Sequence, residues 1–340
     1  MNSFLSPDDT KIWYKTLDEI NKFHKTDIYF EINYIKIHLK KNSHLKAFIY
    51  KNKNKIFFFP IIISKIHSAP EYFDFQSVYG YSGPLANTNS KIFLDKSWKI
   101  FVEQLTKKNI IAGFIRFHPF IENHKYLLNL CNILIYPIKK IVFLNKNIDD
   151  IYLSKNALRN LKKKEKYKIT FSDKVNKKNI VEFSKLYSYL MDKKSANEMY
   201  KFDDIYFLNL FKFYKKNVFL KLAKRNNDTI GGIIFSVYNN YLNILWSAMS
   251  KKGLKMGVSY MLRNEVINQY DNVEINFGGG ITSQINDSLL EFKKNFSKKT
   301  KDFYIGKVIV NEKVYNKLII EWGRNNKKNE FNHYHLKYNY

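Results

Sequence analysis

The sequence predicts a mixed α/β fold in which two domains repeat one design. Segments with apolar residues at helical spacing alternate with short runs of alternating or continuous apolar residues, which are typical of strands. Each half of the chain contains a strand hairpin, then a helix, then a strand that ends in residues of functional type. The length of 340 residues suits two domains of ordinary size.

In the first half, apolar residues at helical spacing predict a helix over residues 8–23, with Ser6 or Asp8 as its cap. Apolar runs at 38–50 and 55–64 predict a strand pair joined by the polar turn at 52–54. A loop is predicted over 79–85, a helix over 93–108, and a strand over 110–117 that delivers Arg116 and His118 to its end. Strand, helix and strand then continue to residues 142–144. Cys131 lies in an apolar run and is predicted to be a core thiol.

The second half repeats this pattern after a boundary at residues 145–152. A long helix is predicted from Ser154, a short strand at 169–171, and helices over 178–193 and 202–216. Strands at 219–223, 229–237 and 241–248 are joined by Asn-rich turns. A loop at 249–257 precedes a helix at 258–270 and a strand that ends at Gly278. We therefore expect domains over 1–150 and 151–310, with a tail over 311–340 that packs back on the first domain.

Composition excludes several classes of protein. Apolar content of 45% is typical of a globular chain, and no run of about 18 apolar residues is present to cross a membrane. The first residues lack the features of a signal peptide, so we expect a cytoplasmic protein, with peripheral membrane contact still open. A single cysteine excludes an internal disulfide and a cysteine cluster for metal, and we expect no metal cofactor. The oligomeric state is not predicted.

The net charge of +28 comes almost entirely from lysine. A basic excess of this size favours any polyanion, including tRNA, but lysine also covers ordinary solvated faces. The same two interpretations apply to the densest cluster, at residues 162–168. Arginine is rarer and so more informative, because its planar fork suits bidentate contact with phosphate or carboxylate. The five arginines are Arg116, Arg159, Arg225, Arg263 and Arg324.

The most informative segment is a strand that runs directly into Gly278, Gly279 and Gly280. Three consecutive glycines permit positive φ and a close approach of another group to the backbone. Thirteen positions after the last glycine, Lys293 lies between the aromatic residues Phe292 and Phe296. A lysine held by aromatic side chains is a charge in a partly dry place, where it can act on a substrate.

This arrangement resembles the C-terminal signature of the Fem-type aminoacyltransferases and their relatives in the GNAT superfamily. That signature is a strand, a glycine turn, an acidic residue and then Phe-Lys-x-x-Phe, here Asp287 and residues 292–296. Residues 154–163 resemble the family's Ser-x-x-x-Arg-Asn helix start, and 187–202 resemble its Tyr-x-x-x-Met and Tyr-x-Phe segment. The first half matches more loosely, at 79–85 and 115–119. The resemblance implies two tandem GNAT-like domains and transfer of an acyl group to an amine.

By this resemblance, Lys293 beside Phe292 stabilises the oxyanion of the tetrahedral intermediate. Asp287 and Glu291 are candidates for the base that accepts the amine proton, and each is also a candidate for a structural role that holds Lys293 in place. Residues 249–257 resemble a degenerate GNAT pyrophosphate loop ahead of a helix N-terminus. There the residues expected to hold acyl-CoA are Lys252, Gly253, Lys255 and Gly257, although their spacing fits the family pattern poorly and a plain glycine connection has the same appearance.

The acceptor is expected between the two domains, where ligand sites are common. Tyr79, Tyr81, Arg116 and His118 are the candidates from the first domain, and Arg159, Tyr200 and the three glycines are those from the second. Arg116 and Arg159 suit a small-molecule or nucleotide-linked acceptor that carries a diphosphate. Tyr81 also fits a packed turn, and His118 also fits a satisfied loop histidine.

Three functions remain open. The first is an N-acyltransferase that moves an acyl group from acyl-CoA to an amine on a sugar or cell-envelope precursor. The alternative is a Fem-type enzyme that uses aminoacyl-tRNA and acts on a peptidoglycan precursor. A long charged helical insertion that binds tRNA in some Fem enzymes is not found here, which favours the first. A catalytically silent tRNA- or RNA-binding protein is the third, and it leaves the glycine and Phe-Lys-x-x-Phe segment unexplained.

Overall fold

A computed structural model describes residues 2–196, 200–282, 287–326 and 334–339. The strands in these ranges are β1 (Asn2–Leu5), β2 (Ser43–Asn52), β3 (Lys55–Lys65), β4 (Phe73–Ser77), β5 (Leu85–Ala86), β6 (Ile110–Arg116), β7 (Ile133–Asn145), β8 (Thr170–Ser172), β9 (Val218–Arg225), β10 (Asp228–Tyr238), β11 (Tyr241–Met249), β12 (Glu274–Gly279) and β13 (Thr300–Ile309). The helices are α1 (Thr10–Asn21), α2 (Ile32–Lys36), α3 (Lys91–Lys107), α4 (Lys155–Leu161), α5 (Lys163–Lys166), α6 (Lys177–Lys193), α7 (Asp204–Phe213), α8 (Lys251–Met256), α9 (Val258–Gln269), α10 (Ser288–Lys293) and α11 (Glu312–Asn325).

The chain forms two compact units. The first comprises residues 1–138 and 302–340, and the second comprises residues 139–301. These divisions fall within β7 and near the start of β13, whereas the domain bounds expected from the sequence lie at 150/151 and 310/311. We retain those bounds as a proposal for the repeated domains. In the first unit, Leu318 and Trp322 of α11 pack with Ile111 and Ala112 of β6, so the C-terminal helix completes that unit's core.

The sheet of the first unit has the order β1-β2-β3-β4-β6-β13, with β5 on β3. Strands β1 to β4 are antiparallel neighbours. Strand β6 runs parallel to β4, because α3 carries the chain back to the same end of the sheet. Strand β13 then pairs antiparallel with β6.

The second unit repeats this topology. Its sheet has the order β8-β9-β10-β11-β12-β7, and β8 to β11 are antiparallel neighbours. Helices α8 and α9 connect β11 to β12, and these two strands are parallel. Strand β7 pairs antiparallel with β12. The mixed α/β fold class expected from the sequence is confirmed, and the two units have the same order of six strands.

Alternation along the hairpin β2–β3 explains why helices cover both faces of the first sheet. Phe48, Phe57 and Phe59 pack in one apolar cluster with Trp98 and Phe101 of α3. The intervening residues Ala47, Ile49, Ile56 and Phe58 pack in another with the α1 residues Trp13, Leu17 and Ile20. Successive side chains of a strand point to opposite faces, so an uninterrupted apolar run requires cover on both.

The second sheet is also covered on two faces. Helix α9 places Met261, Leu262 and Val266 in a cluster with Ile233 and Leu242 of the central strands. Aromatic rings from α6 and α7 pack together with a ring of β11, as Phe183 and Phe207 have centroids 5.3 Å apart and Phe207 and Trp246 have centroids 5.7 Å apart. Helix α9 and strand β12, which lead to the glycine segment, are therefore fixed by a dry core.

Three local predictions differ from the structure. Cys131 is exposed, because it lies in a turn before β7 and only its carbonyl is engaged, by Trp98 Nε1 at 3.1 Å. The helix from Ser154 is short, and α4 ends at Leu161 with the separate turn α5 after it. Residues 251–256 form the helix α8 where a loop was expected. Within the described ranges, every helix falls short of the length and apolarity needed to cross a membrane.

Candidate active site

The glycine segment ends β12 in the second unit. Gly278 has φ +77°, a conformation that side chains rarely adopt, and its N–H donates to the Asn276 side chain at 2.8 Å. A Cβ on Gly279 would lie 2.8 Å from the carbonyl oxygen of Lys140 on the neighbouring strand. The first two glycines are therefore required by backbone conformation and by close packing of the chain on itself, and substrate binding by them stays a prediction.

Asp287 organises the turn between β12 and α10. It is buried, and a Cβ on Gly280 would lie 2.5 Å from its carboxylate, so this glycine makes room for it. Its oxygens accept hydrogen bonds of 2.8 to 3.0 Å from the Thr282 hydroxyl and from four backbone N–H groups, those of Ile281, Thr282, Leu289 and Leu290. Burial raises the Asp287 pKa, but these bonds outweigh it and place the pKa at about 2. Such a weak base suits a structural role.

Lys293 ends α10 with its side chain buried and 8% exposed. Its Nζ donates to the carbonyl oxygen of Gly279 at 2.6 Å, so the ammonium lies at the end of β12. Burial is the main cause that lowers the Lys293 pKa to about 7. The positive charges of Arg263 and Lys139 lower this pKa further, and the negative charge of Asp287 raises it. Lys293 can therefore exchange a proton near neutral pH.

The aromatic residues beside Lys293 form a small cluster in the same unit. The Phe292 and Tyr260 rings meet edge to face with centroids 5.0 Å apart, and Phe296 stacks on Phe277 at 5.9 Å. The Phe292 ring also carries a cation, but that cation is Arg263, whose guanidinium carbon lies 4.6 Å from the ring centroid. The aromatic surroundings expected around Lys293 thus hold a second positive group as well.

Arg263 is a site residue that the sequence motifs did not select. It lies on α9, is only 3% exposed, and donates from Nη2 to Ser247 Oγ at 3.2 Å and from Nη1 to the Ser259 carbonyl at 3.3 Å. Burial lowers the Arg263 pKa to about 10. The scarcity of arginine in this lysine-rich chain was the one sequence signal that included it.

Lys139 on β7 is the third cation near the turn. Its Nζ donates to the Gly280 carbonyl at 3.4 Å, and its charge contributes to the lowered pKa of Lys293. No sequence signal separated Lys139 from the many other lysines.

Glu291 does not share the buried position of Lys293. It is exposed and accepts a hydrogen bond from Lys294 Nζ at 2.7 Å one turn along α10. The two candidate bases therefore have different environments. Asp287 is buried and fully engaged, and Glu291 is a surface ion pair of the kind that contributes little energy.

In the first unit, Tyr79 and Tyr81 belong to an aromatic cluster. Tyr79 stacks on His38 with ring centroids 5.0 Å apart, and Tyr81 meets the buried Tyr29 edge to face at 5.7 Å. Both Tyr79 and Tyr81 are half-buried. The packed-turn interpretation describes their surroundings, although neither residue is fully buried.

His118 lies inside this cluster and is fully buried. Its Nδ1 accepts hydrogen bonds from the N–H groups of Phe120 and Ile121, at 3.3 and 3.1 Å, so the proton lies on Nε2. Nε2 donates to Asp27 Oδ2 at 3.0 Å. Because both ring nitrogens are engaged in the interior, the geometry favours the satisfied-histidine interpretation over contact with an acceptor.

The two arginines proposed for a diphosphate lie in different units. Arg116 in the first unit is half-buried, with its guanidinium carbon 4.8 Å from the Phe114 ring centroid. Arg159 in the second unit is exposed and donates to Asn156 Oδ1 at 3.0 Å. Tyr200 is 45% exposed, and its carbonyl accepts a hydrogen bond from Tyr187. Each of the three side chains is reachable from solvent.

The expected pyrophosphate loop is a capped helix. Ser250 Oγ accepts a hydrogen bond from the Gly253 N–H at 3.0 Å, which satisfies the first turn of α8. A Cβ on Gly253 would lie 2.1 Å from the Ile230 carbonyl, and one on Gly257 would lie 2.5 Å from Asn160 Oδ1. Both glycines are thus required by packing within the unit. Lys252 and Lys255 are exposed on the surface of this helix.

The fold is similar to those of several solved structures. FemX matches with a TM-score of 0.67 and 10% identity over 90% of this chain and 98% of that chain. L-PGS from Bacillus licheniformis matches with a TM-score of 0.59 and 12% identity over 93% and 96% of the two chains. A tandem GNAT protein from the clavulanic acid biosynthesis pathway matches with a TM-score of 0.52 and 8% identity over 90% of this chain and 98% of that chain. No protein-family model matches the sequence, and no curated protein matches it.

At these identities the likeness establishes the fold alone, which is similar to the folds of FemX and of a tandem GNAT protein, as the motifs suggested. The described residues contain no group of three or more histidine, cysteine, aspartate or glutamate side chains placed to hold a metal ion.

Proposed function

We propose that this chain is an acyltransferase that transfers an acyl group to an amine. In this proposal the Lys293 ammonium is the hydrogen-bond donor that stabilises the oxyanion of the tetrahedral intermediate. The observation that carries this proposal is the placement of Lys293. In a fold shared with FemX and L-PGS, its ammonium is buried at the end of β12, 2.6 Å from the Gly279 carbonyl, with no carboxylate bound to it among the described residues.

The proposed reaction is a direct transfer. The amine nitrogen of the acceptor attacks the acyl carbonyl carbon, and the π electrons move to the carbonyl oxygen. The protonated Lys293 donates a hydrogen bond to that oxygen, an interaction worth roughly 3–4 kcal/mol at a preorganised site. The C–O or C–S bond to the donor then breaks as the carbonyl re-forms. The amine nitrogen loses its proton, which is delivered through solvent to the departing oxygen or sulfur. Asp287 is too weak a base for this proton, so we assign Asp287 to positioning of the turn.

For the donor, we propose aminoacyl-tRNA ahead of acyl-CoA. The two glycines that suggested a pyrophosphate loop, Gly253 and Gly257, are needed for packing around the capped helix α8. The net charge of +28 suits a polyanion such as tRNA. Acyl-CoA stays the alternative donor, and the lack of a long charged helical insertion still favours it. The acceptor that the Fem resemblance implies is an amine on a peptidoglycan or other cell-envelope precursor.

The donor and Lys293 can be tested together. The purified chain is mixed with radiolabelled alanyl-tRNA or acetyl-CoA and a UDP-linked peptidoglycan precursor as the amine acceptor. We expect transfer from alanyl-tRNA and a loss of about 10²- to 10³-fold in rate for Lys293→Ala, with little change in unfolding free energy. The control is Lys185→Ala, which removes an exposed lysine from α6.

Two results would contradict the proposal. Unchanged turnover in Lys293→Ala removes Lys293 from the mechanism. Calorimetric binding of acetyl-CoA, together with no filter binding of alanyl-tRNA even at about 50 mM salt, where binding to a polyanion is strongest, reverses the choice of donor.

A further inference from the structure

The second unit holds two buried cations that lack a counter-charge. Arg263 and Lys293 are 3% and 8% exposed, and neither forms an ion pair within the part of the chain that the structure describes. The nearest acid that acts on Lys293, Asp287, already accepts five hydrogen bonds from the turn and from α10. Burying an uncompensated cation costs several kcal/mol, and a fold does not need such a pair for packing alone.

Arg263 keeps donor capacity that no described group uses. A guanidinium has five N–H donors, and its two recorded bonds go to Ser247 Oγ and the Ser259 carbonyl. Its Nε is buried without any hydrogen-bond partner. Since Phe292 covers one face of the guanidinium, the remaining donors lie along its edge, which is the direction from which a carboxylate or phosphate accepts.

The positive groups are close enough to act on each other. Arg263 on α9 and Lys139 on β7 both disfavour the charged form of Lys293, and Asp287 offsets them only in part. An anion placed among these groups would remove that repulsion. It would also favour the ammonium form of Lys293, which is the form that the proposed oxyanion contact requires.

We propose that Arg263 and Lys293 together bind an anionic oxyacid group, a carboxylate or phosphate, carried by a substrate. The assignment of this anion to a substrate rests on the proposed function, whereas the anion site itself does not. Occupation of the site charges Lys293, so the group that stabilises the oxyanion is fully formed only when the anionic substrate is present.

The test measures Lys293 without measuring catalysis. Competitive labelling with acetic anhydride, read by mass spectrometry, gives the reactivity of the Lys293 amine from pH 6 to pH 10 in the full chain. The labelling is repeated with inorganic phosphate and with acetate, at constant ionic strength set by KCl. We expect phosphate, acetate or both to shift the Lys293 titration upward by about one pH unit or more. Such a shift means that the anion binds at least about tenfold more tightly when Lys293 is an ammonium than when it is a neutral amine.

The comparison variants are Arg263→Gln, Arg263→Lys and the matched control Arg324→Gln, which removes an exposed arginine of α11. We expect the shift to disappear in Arg263→Gln, to weaken in Arg263→Lys because the planar fork is lost, and to persist in Arg324→Gln. A response to phosphate alone identifies a phosphate site, and a response to acetate identifies a carboxylate site.

The proposal is overturned if neither anion shifts the Lys293 titration in wild type. It is also overturned if Arg263→Gln shows the same shift as wild type, because the shift would then come from general electrostatic screening and not from a bound anion. If Arg263→Gln does not fold, the test compares Arg263→Lys with wild type. An anion-induced shift of the Lys293 titration that is as large in Arg263→Lys as in wild type would then overturn the proposal. A chain that shows the shift but transfers no acyl group would keep the anion site and contradict only the proposed function.

Discussion

Lys293 combines burial with two positive neighbours, and its charge state should appear in the stability of the protein. Its pKa is 10.5 when unperturbed and about 7 in the folded chain. Between these values the unfolded chain binds a proton that the folded chain does not, so this group makes the unfolding free energy rise as pH rises from 7 to 10.5. Below pH 7 both states are protonated, and the full cost of burying the charge is present.

Replacement by methionine removes this cost. We expect Lys293→Met to be more stable than wild type at pH 7, with an advantage that shrinks as the pH approaches 10.5. Urea unfolding at pH 7 and pH 9.5 measures the difference, and Lys252→Met is the exposed control. A gap between variant and wild type that stays constant over this range would show that Lys293 is charged at all these pH values.

The sequence motifs selected Lys293 as a candidate but did not select the groups that shift its pKa. The Phe-Lys-x-x-Phe spacing and the glycine segment are local patterns, and a local pattern can be read from the chain. Arg263 and Lys139 lie 30 and 154 positions away from Lys293, and they reach it only through the packing of α9 and the pairing of β7 with β12. The contact between His118 and Asp27 had no local signal for the same reason, because the two residues are 91 positions apart.

At the scale of elements, Asp287 links the end of β12 to the start of α10. We expect Asp287→Ala to cost about 2 kcal/mol, as a lost helix cap and unpaired N–H groups would predict, and Asp287→Asn to cost less because one acceptor oxygen remains. Asp287 is stabilising while ionised, so the gap between wild type and variant should narrow as pH falls below 3.8 and through about 2.

Urea unfolding at pH 6 and near pH 2 tests the role of Asp287. The control is Glu291→Gln on the same helix, where an exposed ion pair with Lys294 should change the unfolding free energy by less than about 1 kcal/mol. An Asp287→Asn variant with native stability and a large loss of transfer rate would instead support Asp287 as the base.

Helix α8 gives a test of packing against ligand binding. A Cβ at Gly253 would meet the backbone oxygen of Ile230, which cannot rotate away, so we expect Gly253→Ala to cost about 1–3 kcal/mol. The control is Gly323→Ala on α11, where a Cβ meets nothing within 4 Å. There we expect a gain of about 0.5–1 kcal/mol from the lower flexibility of the unfolded chain.

Chemical denaturation of both glycine variants, with acetyl-CoA titrated by calorimetry in parallel, separates the two roles of Gly253. Native stability in Gly253→Ala combined with a loss of acetyl-CoA affinity would restore this segment as a pyrophosphate loop.

Element prediction succeeded where periodicity was strong and failed where tertiary contacts set the ends. The helices α3, α6 and α9 and the strands β9 to β11 lie within two or three residues of their expected bounds, because their apolar faces repeat regularly. Residues 251–256 of the segment expected as a loop form α8. Ser250 is a local cap signal that the glycine-loop interpretation did not use, whereas the packing of Gly253 on the Ile230 backbone has no local signal.

At the scale of the whole molecule, the repeated design was visible in the sequence as hairpin, helix and strand in each half. The sequence did not reveal that β7 pairs with β12 or that β13 pairs with β6, because each pair joins segments more than 100 residues apart. Strand β13 completes the six-strand order of the first unit, and strand β7 completes that of the second. The repeat therefore has the same topology in both units, although the chain enters and leaves them at positions that no turn signal marks.

The net charge of +28 gives the last prediction, which concerns the whole surface. If lysines neutralise about 6–10 phosphates of a bound tRNA, affinity should fall about 10³- to 10⁵-fold between 50 and 200 mM salt. Acetyl-CoA carries far fewer charges and should respond much less. Filter binding of alanyl-tRNA and calorimetry of acetyl-CoA over this range give the two slopes. A tRNA affinity that is unchanged by salt would mean that the lysine surface takes no part in donor binding, and the charge would then cease to favour tRNA over acyl-CoA.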